Sequence, residues 1–302
     1  MLSVLIDPIL PVFAILALGF ALGRTGHVTV ETARTLNGVT MSVIVPILLF
    51  GLLAEAPLGA LAPLPTLLYA ATQAVIFTLV FLALRPRLAS GEAVVLAYAA
   101  IFANNVFFGL PIAEFLYVGV AGPEALLPLT AVVVLDSTLS LGGVMIALQA
   151  LGTGQVSLLG IGRILIRTPA LIAIFAGLGV ASTGLNLPAP VTTFTAFNGA
   201  AAAPLALFAL GVVLSGTAFE IDRAVAVTVA IKIAVFPMAI WAVLAAAAGG
   251  WDAMRPFAFA AAGPTGTMAF AVALLNGVPT ARVAQVIVWS SLLSLLTLAA
   301  LA

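Results

Sequence analysis

The stretch Ala103-Asn104-Asn105-Val106-Phe107-Phe108-Gly109-Leu110-Pro111 decides how this chain is read, because it interrupts an apolar run from Ala93 to Val120 with amides, a glycine and a proline. An apolar run of that length reads as a membrane helix, and the interruption breaks it. In hydrocarbon a freed backbone N–H or C=O finds no water, so non-helical backbone survives at that depth only against protein or a wet cavity. The break therefore marks a candidate binding site. A second run, Phe257 to Leu275, carries Gly263-Pro264-Thr265-Gly266-Thr267 at the corresponding place in the second half of the chain. Two interrupted helices, one per half, are the sequence sign of a secondary carrier built from inverted repeats.

Composition agrees with a chain dissolved in lipid. Apolar and aromatic residues make up 64% of the 302 positions and charged residues only 7%, against roughly 45–50% and about 25% in ordinary globular domains. The chain is thus an all-α integral membrane protein by expectation. Ten basic residues balance ten acidic ones, which gives no basic surface for nucleic acid and no polybasic lipid-binding tail. The absence of cysteine excludes disulfides, thiolate metal sites and cysteine nucleophiles, and the single histidine, His27, cannot build a histidine-rich metal site. No cofactor or metal is expected, and no His, Cys or paired-Asp motif points to an intramembrane enzyme. The apolar stretch Val4–Gly23 has no basic residue ahead of it and is long for a cleaved leader, so it reads as a retained first helix.

A hydrocarbon core of about 30 Å takes about 20 apolar residues per helix. That ruler divides the sequence into ten spans. The first half, residues 1–150, gives Leu5–Gly23, Thr35–Ala54, Leu61–Leu84, Ala93–Val120 and Leu126–Ala150. The second half, residues 151–302, gives Ile164–Ser182, Val191–Gly216, Ala224–Gly249, Pro256–Asn276 and Arg282–Ala302. Arg24, Arg34, Arg85, Arg87, Arg163, Arg167, Arg223 and Arg282 fall on one side of these spans and only Arg255 on the other. A basic excess marks the cytoplasmic side, so both termini are expected in the periplasm. Five spans per half, an odd number, then invert the second half relative to the first.

The duplication is legible in residues as well as in span count. Pro46-Ile47-Leu48-Leu49-Phe50 matches Pro204-Leu205-Ala206-Leu207-Phe208, and Gln73 with Phe77 falls opposite Lys232 with Phe236. Asn104 of the first break falls near Thr265 of the second.

Several of these residues carry a family resemblance. Asn104-Asn105-Val106-Phe107-Phe108-Gly109-Leu110-Pro111 looks like the Asn-plus-GLP break of the auxin efflux carrier family, which includes plant auxin exporters and bacterial permeases for malonate and malate. Ile166-Arg167-Thr168-Pro169, Ala203-Pro204-Leu205-Ala206-Leu207-Phe208-Ala209-Leu210-Gly211 and Pro264-Thr265-Gly266-Thr267 extend the likeness over nearly the whole chain. The resemblance implies a ten-helix fold of the NhaA and bile-acid-symporter type. There, spans four and nine cross at the bilayer midplane inside a transport domain of spans three to five and eight to ten. Spans one, two, six and seven form a scaffold that often dimerises. The paired Asn104-Asn105 and the Glu114 that follows Pro111 depart from the commoner pattern.

Each candidate residue has a plain reading beside the functional one. Helix segments resuming after Asn105 and after Gly266 both turn N-terminal ends, each about half a positive charge, toward the expected crossing. That suits an anion. Asn104 and Asn105 either cap freed backbone or bind a carboxylate. Gly109, Pro111, Gly263, Pro264 and Gly266 shape the breaks, since proline removes a donor and stops a helix. Thr265 and Thr267 supply hydroxyls to a ligand or satisfy their own helix. Asp136 and Lys232 lie near the middle of spans five and eight, where a charge costs roughly 2.5–3.5 kcal/mol on insertion scales, so neither should face lipid. Either they form a static ion pair, or Lys232 opposes a substrate carboxylate while Asp136 carries a coupling proton or cation. Glu114 is a second candidate proton carrier, or simply reaches the outer vestibule.

The expected activity is movement of a small organic anion, such as malonate, malate or an auxin-like acid, across a bacterial inner membrane by alternating access. A sodium-coupled carrier of the bile-acid type and a non-transporting membrane sensor are the rival readings.

Overall fold

The computed structural model describes residues 2–56, 63–113, 126–152, 162, 167, 169–216, 220–248 and 251–301. Glu114 lies outside the described residues. The described chain is helical throughout, with no strand element among those residues. In order the helices are α1 (Leu2–Arg24), α2 (Val30–Ala54), α3 (Pro63–Leu84), α4 (Ser90–Ile101), α5 (Leu110–Ala113) and α6 (Leu127–Leu151). They continue with α7 (Pro169–Thr183), α8 (Ala189–Ser215), α9 (Arg223–Ala247), α10 (Trp251–Ala262), α11 (Met268–Leu275) and α12 (Ala281–Leu301). Helices α2, α3, α6, α8 and α9 are each long and apolar enough to cross a membrane. Large apolar side chains stand outward, Phe197 at 79% exposure among them. A surface of this kind needs lipid rather than water against it.

Some helices begin earlier than the apolar runs suggest, because capping chemistry extends them. Helix α2 starts at Val30 rather than Thr35: the Thr29 hydroxyl accepts the Thr32 N–H at 3.1 Å and satisfies an orphan donor of the first turn. Helix α10 starts at Trp251 and carries Pro256 inside it, where the sequence pattern alone placed the start at the proline. Glu92, expected in a cytoplasmic connection, sits in the first turn of α4 and is buried.

The chain divides into two compact units. The first comprises Met1–Leu61, Val106–Thr130 and Arg163–Ala218, and the second Ala62–Asn105, Ala131–Gly162 and Phe219–Ala302. In the first unit α1 and α8 pack backbone to backbone. A Cβ on Gly19 would fall on the Phe208 carbonyl oxygen, and one on Gly211 on that of Leu16. Lipid tails are as apolar as leucine, so such small residues, by allowing close approach, are what helix association in membranes rests on.

In the second unit the first halves of both interrupted helices are buried on every side. Glu92 through Ile101 of α4 and Phe257 through Ala262 of α10 are all core residues, which matches helices that are apolar all round. Tyr69 of α3 meets Phe236 of α9 edge-on, at 5.7 Å between ring centroids and 73° between planes, and so helps fix α3 against α9. Three long helices contain a π turn: Thr40–Ile44 in α2, Asp136–Ser140 in α6 and Ile231–Val235 in α9. A π turn frees backbone groups inside a helix and is frequent at functional sites. Two of the three carry the charged residues singled out above.

Candidate functional site: the paired breaks

Helices α4 and α10 both give way to non-helical backbone, and in the second unit the two segments meet. Helix α4 ends at Ile101, and Phe102 turns to extended backbone at φ −84° and ψ 117°. Ala103 then pairs with Thr265 as an isolated antiparallel bridge. The Asn104 N–H donates to the Pro264 carbonyl at 2.8 Å, and the Gly266 N–H donates to the Phe102 carbonyl at 3.2 Å. Each break thus supplies the hydrogen bonds that the other lost by leaving the helix, which is what survival of bare backbone away from water requires. Gly266 permits this closeness because the Phe102 ring occupies the space that a Cβ would fill. That ring stacks on Tyr98 at 4.9 Å.

The side chains at the breaks divide into committed and spare. The Thr265 hydroxyl donates to the Ala99 carbonyl at 2.8 Å, and its N–H donates to the Ser290 hydroxyl at 3.0 Å. It therefore ties the second break to α4 and α12 rather than satisfying its own helix. Thr267 is the N-cap of α11 and makes no side-chain cap bond. Asn104 is buried, as are Gly109, Gly263 and Pro264. Pro111 contributes its backbone to α5. Asn105 differs from all of these. It is 2% exposed, yet neither its amide nitrogen nor its amide oxygen has a hydrogen-bond partner.

The two midspan charges do not pair. The Lys232 ammonium, fully buried, donates to the Ala261 carbonyl at 2.8 Å and lies 5.0 Å from the centre of the Phe236 ring. Ala261 is in the last turn of α10, at the negative end of its dipole, where a cation is favoured. Gln73 performs the parallel task on α4: its amide donates to the Ile101 carbonyl at 3.3 Å. The same Gln73 amide nitrogen donates to Asp136 Oδ1 at 2.6 Å, and the Ser140 hydroxyl donates to that oxygen at 3.3 Å and to Gln73 Oε1 at 3.0 Å. Asp136 Oδ2 has no partner, nor do the buried hydroxyls of Tyr69, Tyr98 and Ser291.

Reading residues by type missed Ser140, Tyr69, Tyr98 and the Ser290-Ser291 pair. A polar group inside an apolar span is costly enough to count as a functional hint on its own. Gln73 carried a further signal, its register opposite Lys232. At the end of this unit beside α4 and α12, Arg282 pairs with Glu92 at 2.8 Å and with Asp222, joining the starts of α4, α9 and α12.

The arrangement presents an unused amide beside two satisfied backbone breaks, with one cation and one carboxylate held by neutral partners. Known proteins agree with a transport role. The family model described as "Membrane transport protein" matches residues 4–156 and 156–302. A protein of Rhizobium meliloti (strain 1021) described as "Putative malonate transporter" is 26% identical over 304 residues, covering 97% of this chain and 93% of that protein. With the match running nearly end to end, the chain belongs to the auxin efflux carrier family of membrane transport proteins.

Proposed function

We propose that this protein is a secondary carrier that moves a small organic anion, a carboxylate, across a bacterial inner membrane by alternating access. The observation that carries this reading is the spare amide of Asn105. A buried polar group without a partner costs about 1–3 kcal/mol, and this amide bonds to no backbone group, so capping does not account for its presence. A carboxylate can accept from its N–H groups, and Lys232 adds the one basic charge of the second unit's midspan region. The malonate in the relative's description favours the same chemical class.

In this reading the ten spans form two inverted halves, residues 1–150 and 151–302, with both termini periplasmic. The unit holding α3, α4 and α9–α12 is the moving part, because it contains the paired breaks, Asp136 and Lys232. The unit holding α1, α2, α7 and α8 is the scaffold and the surface for a homodimer. A screen of the purified protein against mono- and dicarboxylates by thermal shift tests the substrate class, and the reading fails if none raises the melting temperature. A cysteine introduced at Gly154 that reacted with an impermeant reagent in intact cells would reverse the orientation.

A further inference from the structure

The Asn105 side chain is 2% exposed, and its amide nitrogen and its amide oxygen are both without a partner. The oxygen matters as much as the nitrogen. A carboxamide carries N–H donors on one side and an acceptor on the other, so a ligand that satisfies the whole group has to accept and donate through one planar unit. An ionised carboxylate only accepts. It would serve the nitrogen and leave Oδ1 buried against another electron-rich oxygen, which lowers affinity roughly 5- to 150-fold. A carboxyl that keeps its proton has the required pattern, its C=O accepting from Nδ2 and its O–H donating to Oδ1.

Room for such a group lies in the same unit, at the second break. A Cβ on Gly263 would stand 4.0 Å from Asn105 Oδ1, 3.8 Å from the Ala103 Cβ and 3.8 Å from the Ala260 carbonyl oxygen, all ordinary van der Waals contacts. Gly263 is buried, and among the described residues only Gly26, Gly184 and Gly277 take a positive φ. Neither packing nor backbone conformation therefore demands a glycine here. What the missing methyl group provides is space beside the spare amide.

We infer that Asn105 binds the substrate carboxyl in its un-ionised form, through a two-bond pair of amide and acid seated against Gly263, so that the transported acid brings its own proton. The inference rests on the carrier reading above and names the protonation state in which the acid is held. A dicarboxylic acid then enters singly protonated, and a monocarboxylic acid enters neutral. The acid takes its proton from water on the side of uptake, RCOO⁻ and H⁺ giving RCOOH, and returns it to water after release on the other side. One proton moves with each acid, and no protein group changes protonation in the cycle.

Among the described side chains, the titratable groups buried in this unit are Tyr69 of α3, Glu92 and Tyr98 of α4, Asp136 of α6 and Lys232 of α9. Titration of any of them would also make binding depend on pH, so the test pairs each acid with its primary amide. Malonate is compared with malonamate, and pentanoate with pentanamide, by calorimetry on the purified protein at pH 7 and pH 8. An amide presents the same acceptor and donor at both, whereas the fraction of acid that keeps its proton falls about tenfold between them. Each acid should bind about tenfold more weakly at pH 8 than at pH 7, while its amide binds equally at both and more tightly than the acid at pH 8. Gly263→Ala, which fills the space without a close contact, should weaken acid and amide alike by about tenfold or more, with the melting temperature held. Should that variant fail to fold, the comparison in the parent protein decides without it. An acid with the same affinity at both pH values overturns the inference and leaves the carrier reading intact, with Asn105 donating to a carboxylate. An amide that weakens from pH 7 to pH 8 as its acid does, or that fails to bind where its acid binds, overturns it as well and assigns the pH dependence to the protein's own groups. Parent-like binding in a folded Gly263→Ala also overturns it, since the seat is then elsewhere. Failure of all four ligands to bind removes the carrier reading itself.

Discussion

Lys232 Nζ donates to the carbonyl oxygen of Ala261 at 2.8 Å, so the midspan cation neutralises the end of a half-helix instead of the midspan acid. The Gln73 amide does the same for the Ile101 carbonyl, and these two residues occupy matching positions in the two halves of the sequence. One of the two is thus a charged cap and the other a neutral one. The neutral cap has a second role, donating to Asp136.

Replacing Lys232 by methionine sets two effects against each other. A charge-assisted bond is worth about 1.5–3 kcal/mol, and a cation at a partly buried helix C-terminus up to about 2 kcal/mol more. Relief of the insertion cost returns roughly 2.5–3.5 kcal/mol. With mid-range values and the full helix-end contribution the balance is a net loss of about 1 kcal/mol, and Lys232→Gln, which keeps a donor, should recover part of it. Thermal unfolding in detergent reads this directly. If the methionine variant is more stable than the parent, the buried charge is retained for transport and not for the fold.

Asp136→Asn is nearly isosteric and its amide oxygen can still accept from Gln73 and Ser140, so the variant should fold. If Asp136 carries the coupling proton, accumulation driven by a pH gradient should disappear while exchange of substrate across proteoliposomes persists. Undiminished concentrative uptake in the variant would leave Asp136 a structural acceptor.

What the sequence made legible here was local or periodic. Asn104-Asn105 and Gly263-Pro264 stand out because amides, glycine and proline are rare inside apolar runs. The helix segments follow from length, and the family from motifs spread along the chain. Partnerships across long separations left no such trace. Nothing near Arg282 announces Glu92, 190 residues away, and nothing near Thr265 announces Ala99 or Ser290. The π turns at Asp136 and Lys232 were also hidden, since one extra residue in a turn changes neither hydropathy nor length. Of the two readings of Asp136 and Lys232, the static ion pair is the one the geometry does not form, for a related reason. Residue type gives charge but not direction, and the neighbouring helix ends and Gln73 compete for both groups.

Arg282 bridges the Glu92 and Asp222 carboxylates at the ends of α4 and α9. Partial burial works against the charge of Asp222, but the Val225 N–H and the Arg282 guanidinium outweigh it and hold the carboxyl below its ordinary range. A carboxyl with a depressed folded pKa contributes stability above its unfolded pKa and loses it as pH falls through the folded one. The melting temperature should therefore decline on acidification below the usual carboxylate range, and this part of the decline should vanish in Asp222→Asn. Because Arg282 and Asp222 are more than one third exposed, the contribution is held to about 1 kcal/mol or less. An identical acid profile in the variant would show that other carboxylates carry the effect.

The helix ends at the breaks contribute only about 0.3–1 kcal/mol each when exposed and up to about 2 when partly buried. Micromolar affinity takes about −8 kcal/mol, so side-chain donors must add bonds to the anion of roughly 1.5–3 kcal/mol apiece. Among the break residues, Thr265 has already given its hydroxyl proton to Ala99, whereas both side-chain amide atoms of Asn105 are unused. Asn105→Ala is accordingly expected to weaken carboxylate binding at least tenfold. It should do so without lowering the melting temperature, because removing a buried unpaired polar group leaves no partner stranded. This combination separates a ligand-binding amide from a structural one, since a structural amide would lose stability first. Calorimetry and thermal unfolding on the same preparation provide both numbers. Wild-type affinity in a well-folded variant would mean that the anion does not use this amide, and that the orphaned groups near Asp136, Tyr69 and Tyr98 are the place to look for it.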